Sequence, residues 1–133
     1  MSASPLTNSP TAPLILIVED DPETRLFYSD VFVRDGFRTE EAHNGLQALE
    51  KALKSLPDLI LTDIAVPGID GIELCRRIRA DERTRAIPLL AITGYGDRQY
   101  ADRALLAGAD LALTKPCEAK RLLGAARRFL ERV

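Results

Sequence analysis

The sequence predicts an α/β domain built on a parallel β-sheet. Short apolar segments alternate five times with longer amphipathic segments, which is the pattern of consecutive βα units. Of the 133 residues, 46% are hydrophobic and 29% are charged, a composition typical of a globular domain that can bury a core. Right-handed crossovers would place helices on both faces of one five-stranded sheet.

The five predicted strands differ in polarity. The first, third and fourth are almost wholly apolar, so we expect them at the centre of the sheet with both faces covered. The second contains Arg38, Glu40 and Glu41, which suits a sheet edge. The predicted strands are residues 14–18, 37–42, 58–63, 88–93 and 111–114.

Turn and capping signals delimit the helices. Asp21 followed by Pro22 predicts the start of the first helix, and Gly36 predicts its end. The inner stripe of this helix is predicted to be Thr24, Phe27, Tyr28, Val31 and Phe32. Leu26 and Val33 fall outside the stripe and could mark a partner site, although scattered surface hydrophobic residues are an equal alternative. The other helices are predicted near residues 46–53 and 72–78, over residues 99–107 and from residue 118.

Composition also indicates the extent of the folded domain, the kind of partner and the cellular compartment. Residues 1–13 are rich in Ser, Thr, Pro and Ala and predict a flexible N-terminal tail, so the folded domain is expected over residues 14–133. The net charge of −2 does not suggest nucleic acid as a direct partner. Cys75 and Cys117 fit a reducing compartment, and neither a membrane span nor a signal peptide is recognisable. We therefore expect a cytoplasmic protein.

Polar residues stand at the predicted carboxyl ends of four strands. The first strand ends in Glu19-Asp20-Asp21, the third in Asp63, the fourth in Thr93 and the fifth in Lys115. The carboxyl ends of parallel strands share one edge of the sheet. Ligands bind there, where the strand order reverses, and we expect this point between the first and third strands. These side chains are therefore predicted to meet in one crevice.

The residue types in this crevice suit phosphoryl transfer. Crowded carboxylates repel each other, and Mg²⁺ relieves that repulsion because it prefers oxygen ligands. Lys115 and Thr93 suit contacts to a phosphoryl group, and Asp63 suits the nucleophile, since carboxylates form aspartyl phosphates. Each residue alone also has a structural interpretation: a turn cap, a helix N-terminus, a strand end or a solvated lysine.

The same segments resemble the receiver domains of two-component response regulators, of the chemotaxis-regulator type. The resemblance covers Leu14 to about Leu130 and rests on residues 17–22 (IVEDDP), 63–71 (DIAVPGIDG), 92–94 (ITG) and 115–116 (KP). It implies a flavodoxin-like sheet of strand order 2-1-3-4-5. It also implies a phosphorylation-switched signalling module, with no enzymatic activity beyond its own phosphorylation and dephosphorylation.

The resemblance also implies residue roles. Asp63 would accept the phosphoryl group from a phosphohistidine on a histidine kinase or a phosphotransfer protein. Glu19, Asp20, Asp63 and the backbone carbonyl of Ala65 would hold Mg²⁺, and Thr93 and Lys115 would contact the phosphoryl group. An unidentified downstream protein would read the phosphorylated state, and in this family kinases and phosphotransfer domains dock near the first helix.

Two positions depart from the family pattern. Many receivers carry an aromatic residue three positions before the lysine, where this chain has Ala112, so signal relay by a swinging ring is not expected in that form. Tyr95, two residues after Thr93, is either a gate for water or partners or a ring on the surface of the loop.

Several functions are compatible with these features. We expect a stand-alone receiver without an output domain; a phosphate shuttle or sink, or a receiver taken from a hybrid histidine kinase, is the alternative. A magnesium-dependent hydrolase is a second class, but aspartyl-phosphate phosphatases resemble a pattern with a second Asp where Ala65 stands. A scaffold that is never phosphorylated is a third class, and the complete set of site residues argues against it.

Overall fold

The computed structural model describes residues 9–94 and 98–131, which form one parallel sheet flanked by helices. The strands are β1 (Leu14–Val18), β2 (Arg38–Ala42), β3 (Leu59–Asp63), β4 (Leu89–Thr93) and β5 (Leu111–Thr114). Their order is β2-β1-β3-β4-β5, and every pairing is parallel. The predicted α/β class, the flavodoxin-like strand order and the edge position of β2 are confirmed.

Helices cover both faces of the sheet. They are α1 (Pro22–Arg34), α2 (Gly45–Ser55), α3 (Gly71–Ala80), α4 (Arg98–Ala107) and α5 (Ala119–Leu130). Successive residues of a strand point to opposite faces. In β1, therefore, Ile15 and Ile17 pack with α1 and α5, whereas Leu16 and Val18 pack with α2, α3 and α4. The predicted burial of β1, β3 and β4 on both faces is confirmed by their fully buried side chains.

Side-chain caps start three helices at the carboxyl edge of the sheet. Asp21, Asn44 and Asp70 each accept a hydrogen bond from the backbone N–H three residues further along, at 2.7–2.9 Å. Each cap satisfies a donor that the first helical turn leaves without an intrahelical partner. The loops that leave β1, β2 and β3 are therefore each anchored at the start of the following helix.

The loop after Asp63 is held by a close backbone approach at Gly71. A Cβ atom at this position would lie 2.6 Å from the carbonyl oxygen of Asp63 and 2.6 Å from Cα of Ile64. The N–H of Gly71 also donates to the carbonyl of Ile64 at 2.8 Å. Glycine is required here because any side chain would push the start of α3 away from the end of β3.

Two predicted inner faces are partly wrong. Phe27 was placed on the inner stripe of α1, but its side chain is 46% exposed, because it lies about 100° around the helix axis from the buried Tyr28. The spacing of Leu46, Leu49 and Leu53 predicts the apolar face of α2. In the structure Leu46 is 58% exposed, while Ala48 and Ala52 are fully buried. Small side chains occupy the positions where α2 comes nearest to the sheet. Leu26 lies outside the inner face, as predicted.

A charge-rich band of arginines is predicted from the sequence to form a solvated helix face: Arg76, Arg77, Arg79, Arg83 and Arg85. Arg79 does not belong to that face. Its guanidinium donates to the carbonyl of Gly108 at 2.9 Å, to that of Ile87 at 2.6 Å and to that of Arg85 at 2.9 Å. It also contacts the Asp110 carboxylate at 2.9 Å. One side chain thus joins α3 to the start of β4 and the end of α4. The predicted solvated face holds for Arg76 and Arg77, which pair with Glu73 at the surface.

Other expectations have mixed outcomes. Cys75 shares a predicted helix face with Ile72 and Ile78, which favours a core residue over a reactive thiol. It is buried in the core as expected, and burial raises the pKa of its thiol to about 11. Within residues 9–94 and 98–131, no helix has the length and apolar character needed to cross a membrane. The predicted flexible tail lies mostly outside the described residues. Its last two residues, Ala12 and Pro13, accept hydrogen bonds from Arg38 through their carbonyls.

Replacing Arg79 tests its structural role. Arg79→Met keeps the aliphatic stem but removes the guanidinium donor from three carbonyls and from Asp110, which keeps only its hydrogen bond from the Leu89 N–H. We expect the free energy of unfolding, measured by urea denaturation, to fall by about 2 kcal/mol. Arg76→Met removes only an exposed ion pair and should cost at most about 0.5 kcal/mol. Equal small losses in the two variants would show that the Arg79 contacts contribute little.

Candidate functional site

Side chains from three strand ends meet at the carboxyl edge of the sheet. Glu19 directly follows β1, Asp63 ends β3 and Lys115 directly follows β5. The Lys115 ammonium donates to Oδ2 of Asp63 and lies 3.8 Å from Oε1 of Glu19. The structure therefore brings together two predicted carboxylates and the predicted cation, although these residues are far apart in the sequence.

The Asp63 carboxylate is held through both oxygens. Oδ1 accepts a hydrogen bond from the backbone N–H of Ala65 at 2.9 Å, and Oδ2 accepts from Lys115. Only 5% of the residue is exposed, yet it lines a cleft at the surface. The carboxylate is thus fixed in orientation and accessible from one side.

Glu19 carries the most perturbed carboxyl group of the site. It is 2% exposed, its Oε2 accepts from the N–H of Asp21 at 3.1 Å, and Oε1 has no hydrogen-bond partner among the described residues. Burial raises the pKa of Glu19 to about 7, and the neighbouring Asp63 adds to the rise. The Asp21 N–H and Lys115 act in the opposite direction. A buried carboxyl group with an oxygen that accepts no hydrogen bond is suited to binding a cation.

Lys115 compensates the negative charge. Burial alone would lower its pKa, but Asp63, then Glu19 and Asp20, raise the pKa above the ordinary lysine value. The residue is also tied to the neighbouring strand, because its backbone N–H donates to the carbonyl of Thr93 at 2.9 Å. The backbone of Lys115 is therefore anchored to the end of β4, and its ammonium contacts the Asp63 carboxylate.

Thr93 lines the same cleft as Asp63. Its side chain is buried, and its hydroxyl contacts the carbonyl of Gly94 only at 3.4 Å, which is a weak hydrogen bond. The hydroxyl is therefore available to a ligand. The cleft has a volume of about 310 Å³ and is lined by Asp63, Ile64, Ala65, Asp70, Thr93, Gly94 and Tyr100.

The predicted magnesium ligands are only partly assembled. Asp20 is exposed, unlike Glu19 and Asp63, and Ala65 donates its N–H to Asp63. Across residues 9–94 and 98–131, no three histidine, cysteine, aspartate or glutamate side chains are grouped to hold a metal ion. An exposed side chain changes rotamer readily. Glu19 lies beside Asp63, has a raised pKa and has one oxygen that accepts no hydrogen bond. These properties suit the binding of a divalent cation.

Two features of the site were not predicted. Tyr100, in the first turn of α4, lines the cleft at Asp63; its position just after the loop that follows Thr93 is the only sequence signal for it.

A wider groove of about 730 Å³ lies beside α1 and includes Lys115. Its lining residues are Asp21, Glu23, Thr24, Phe27, Tyr28, Lys115, Pro116, Cys117 and Glu118. Tyr95, which the sequence leaves open as a gate or as a ring on the loop surface, lies outside the described residues.

The raised pKa of Glu19 predicts a pH-dependent stability. Between pH 4.5 and about 7 the folded protein holds a proton on Glu19 that the unfolded chain does not, so its free energy of unfolding falls as pH rises. The amide of Glu19→Gln does not titrate in this pH range, so the variant does not lose stability in this way as pH rises. The stability of Glu19→Gln relative to the unmodified protein should therefore increase by roughly 1–3 kcal/mol from pH 5 to pH 7.5 in metal-free buffer.

Urea unfolding in the presence of a chelator measures this difference at each pH. Glu23→Gln, at an exposed acid in the first turn of α1, is the matched control for removing one carboxylate near the same helix end. A stability difference for Glu19→Gln that stays constant with pH would contradict the assignment.

Comparison with known proteins places the chain in a family. A family model described as the response regulator receiver domain matches residues 15–127. Sporulation initiation phosphotransferase F of Bacillus subtilis is 37% identical over 117 residues, which cover 87% of this chain and 92% of that protein. The DNA-binding dual master transcriptional regulator RpaA of Synechocystis is 37% identical over 120 residues, but the chain spans only 50% of its length.

A solved structure shows the same fold. The receiver domain of the sensor histidine kinase PA1611 from Pseudomonas aeruginosa, described with a magnesium ion coordinated in the active site cleft, has a TM-score of 0.85 and 30% identity. The match covers 92% of this chain and 100% of that domain. The chain therefore belongs to the family of response regulator receiver domains and is a phosphorylation-switched module of two-component signalling.

Proposed function

We propose that Asp63 is the phosphoryl acceptor of this module and that a phosphohistidine is the donor. The observation that carries the proposal is the fixed Asp63 carboxylate, which borders an open cleft and contacts the Lys115 ammonium. A carboxylate in this setting can attack phosphorus and form an aspartyl phosphate. Receiver domains are signalling modules rather than classical enzymes, so the chemical change is confined to the protein itself.

Charge compensation and positioning would drive the transfer. Carboxylate and phosphoryl group are both anionic, so their approach is opposed by repulsion unless a cation is near. Lys115 reduces that repulsion at Asp63, and the weakly bonded Thr93 hydroxyl can donate to a phosphoryl oxygen. The Ala65 N–H holds the other oxygen of Asp63 in place.

We propose a magnesium site formed by Glu19, Asp20, Asp63 and the backbone carbonyl of Ala65. Its support is the buried Glu19 oxygen next to Asp63 that accepts no hydrogen bond, together with the magnesium described in the related PA1611 receiver domain. When bound, the ion neutralises negative charge on the transferring phosphoryl group. Asp20 completes the ligand set by turning its exposed side chain toward the other two carboxylates.

Receivers of this type interact with histidine kinases, and we propose a histidine kinase or phosphotransfer protein as the donor here. The groove beside α1 adjoins Lys115 and carries the exposed Phe27, with Leu26 nearby, which supports docking at this face. We further propose a folded receiver over residues 14–133, preceded by a tail over residues 1–13 whose last two residues contact Arg38, acting in the cytoplasm. A downstream protein would read the phosphorylated state, without direct contact between this chain and nucleic acid.

A phosphate shuttle is the second candidate. The likeness to a phosphotransferase over most of its length favours it, as does the likeness to a receiver domain from a sensor histidine kinase. A hydrolase of the aspartyl-phosphate type would need a second acidic residue two positions after Asp63. That position is Ala65, an exposed alanine that supplies no acidic group, so the hydrolase alternative is not favoured.

Phosphorylation by a small donor tests the acceptor. With acetyl phosphate and Mg²⁺, intact-mass measurement should show a labile gain of one phosphoryl group. Asp63→Asn should show none, because an amide oxygen is a far weaker nucleophile than a carboxylate. Chelation of divalent cations should also abolish the gain.

The matched control is Asp58→Asn, a substitution of the same type just before β3, at the opposite end of the strand from Asp63. An Asn at this position still offers an oxygen to the N–H of Leu14, so phosphorylation should persist. A phosphoryl gain that survives Asp63→Asn, or no gain in the folded unmodified protein, would contradict the proposal.

A further inference from the structure

Tyr100 forms part of the cleft in which Asp63 would be phosphorylated. One wall comes from the end of β3 and its loop, with Asp63, Ile64 and Ala65. The other comes from Thr93, Gly94 and Tyr100. Tyr100 is the one aromatic residue among the described residues that line the cleft, and it is 41% exposed.

The cleft is larger than a phosphoryl group requires. Its volume is about 310 Å³, which at about 30 Å³ per water corresponds to roughly ten water-sized groups. A phosphorus atom with three oxygens fills less than half of that space. The remaining space can accept the group to which the phosphorus is still bonded when it approaches Asp63.

The ring of Tyr100 is held by a neighbouring side chain. The guanidinium of Arg103, one turn further along α4, lies 5.1 Å from the ring centroid, in the range of a cation–π contact. A tyrosine ring also has few rotatable bonds, so little entropy is lost when it contacts a ligand. The cleft therefore presents a positioned aromatic surface within the same cavity as the acceptor carboxylate.

We propose that Tyr100 is a specificity-determining residue that packs against the leaving group of the donor and favours a planar aromatic leaving group. This inference rests on the proposed function of Asp63. Aromatic pairs gain attraction beyond simple area burial when they stack or meet edge to face. An imidazole leaving group can form such a pair with Tyr100, whereas an acetate leaving group cannot.

The chemical step balances without a further reactant. A P–O bond forms between an Asp63 carboxylate oxygen and phosphorus while the P–N bond to imidazole breaks. The electron pair of that bond goes to the imidazole nitrogen, which takes a proton from solvent. Tyr100 takes no part in bond making; it contacts the ring while it leaves.

Two small donors separate this role from a general structural one. Phosphoimidazole carries an aromatic leaving group and acetyl phosphate does not. Second-order rate constants for phosphorylation, from intact-mass time courses with Mg²⁺, are compared for the unmodified protein, Tyr100→Phe and Tyr100→Leu. Leu106→Ala, a 90% exposed position on the same helix and absent from the cleft lining, is the matched control.

We expect Tyr100→Leu to lower the rate constant for phosphoimidazole about five-fold, the size expected for one aromatic pair, and that for acetyl phosphate less than two-fold. Tyr100→Phe and Leu106→Ala should stay within two-fold for both donors. Equal slowing with both donors, or no slowing with phosphoimidazole, would overturn the inference. Failure of the unmodified protein with both donors would instead contradict the proposed function of Asp63, and this inference with it.

Discussion

The contact between Lys115 and Asp63 is the interaction on which the site depends. Asp63 and Glu19 are both almost fully buried and lie at neighbouring strand ends, so their negative charges repel each other in a partly dry environment. Lys115 contacts Asp63 directly and lies 3.8 Å from Glu19. Partly buried ion pairs such as this one add little net stability, because removing charges from water is costly. This arrangement is therefore better explained by chemistry at Asp63 than by stability.

The fold supplies the precision that this contact needs. In the order β2-β1-β3-β4-β5, the ends of β1 and β3 are adjacent, and β5 lies two strands from β3. Gly71 allows α3 to begin directly against the backbone of Asp63, and the Ala65 N–H fixes the carboxylate. The Lys115 N–H is bonded to the end of β4. Each charged group is thus attached to the sheet within one or two residues.

The strands, the central position of β1, β3 and β4 and the edge position of β2 were predictable because they rest on local and topological rules, whereas the full strand order was implied by the resemblance to receiver domains. An apolar segment that ends in a polar residue is visible in the sequence, and parallel topology then brings such ends together. The sequence does not distinguish the adjacent acids Glu19 and Asp20. The fold buries the first and exposes the second, and this burial raises the pKa of Glu19.

The features that could not be predicted depend on contacts between distant segments. In the sequence, Arg79 is one of several arginines on a helix. Its position next to the carbonyls of Gly108 and Ile87 is set by the packing of α3 against α4. Phe27 lies at the margin of a helical stripe, where periodicity cannot decide burial. Tyr100 reaches the cleft only because α4 begins close to the end of β4.

We propose that these strand ends form one site for Mg²⁺ and a phosphoryl group on Asp63. The decisive experiment is a crystal structure of the protein with Mg²⁺ and beryllofluoride, a stable analogue of a phosphoryl group. We expect beryllofluoride on Asp63, within hydrogen-bond distance of Thr93 and Lys115, and Mg²⁺ bound by Glu19, Asp20, Asp63 and the Ala65 carbonyl. Beryllofluoride bound elsewhere, or an unmodified Asp63 still paired with Lys115 at saturating concentrations, would contradict the account.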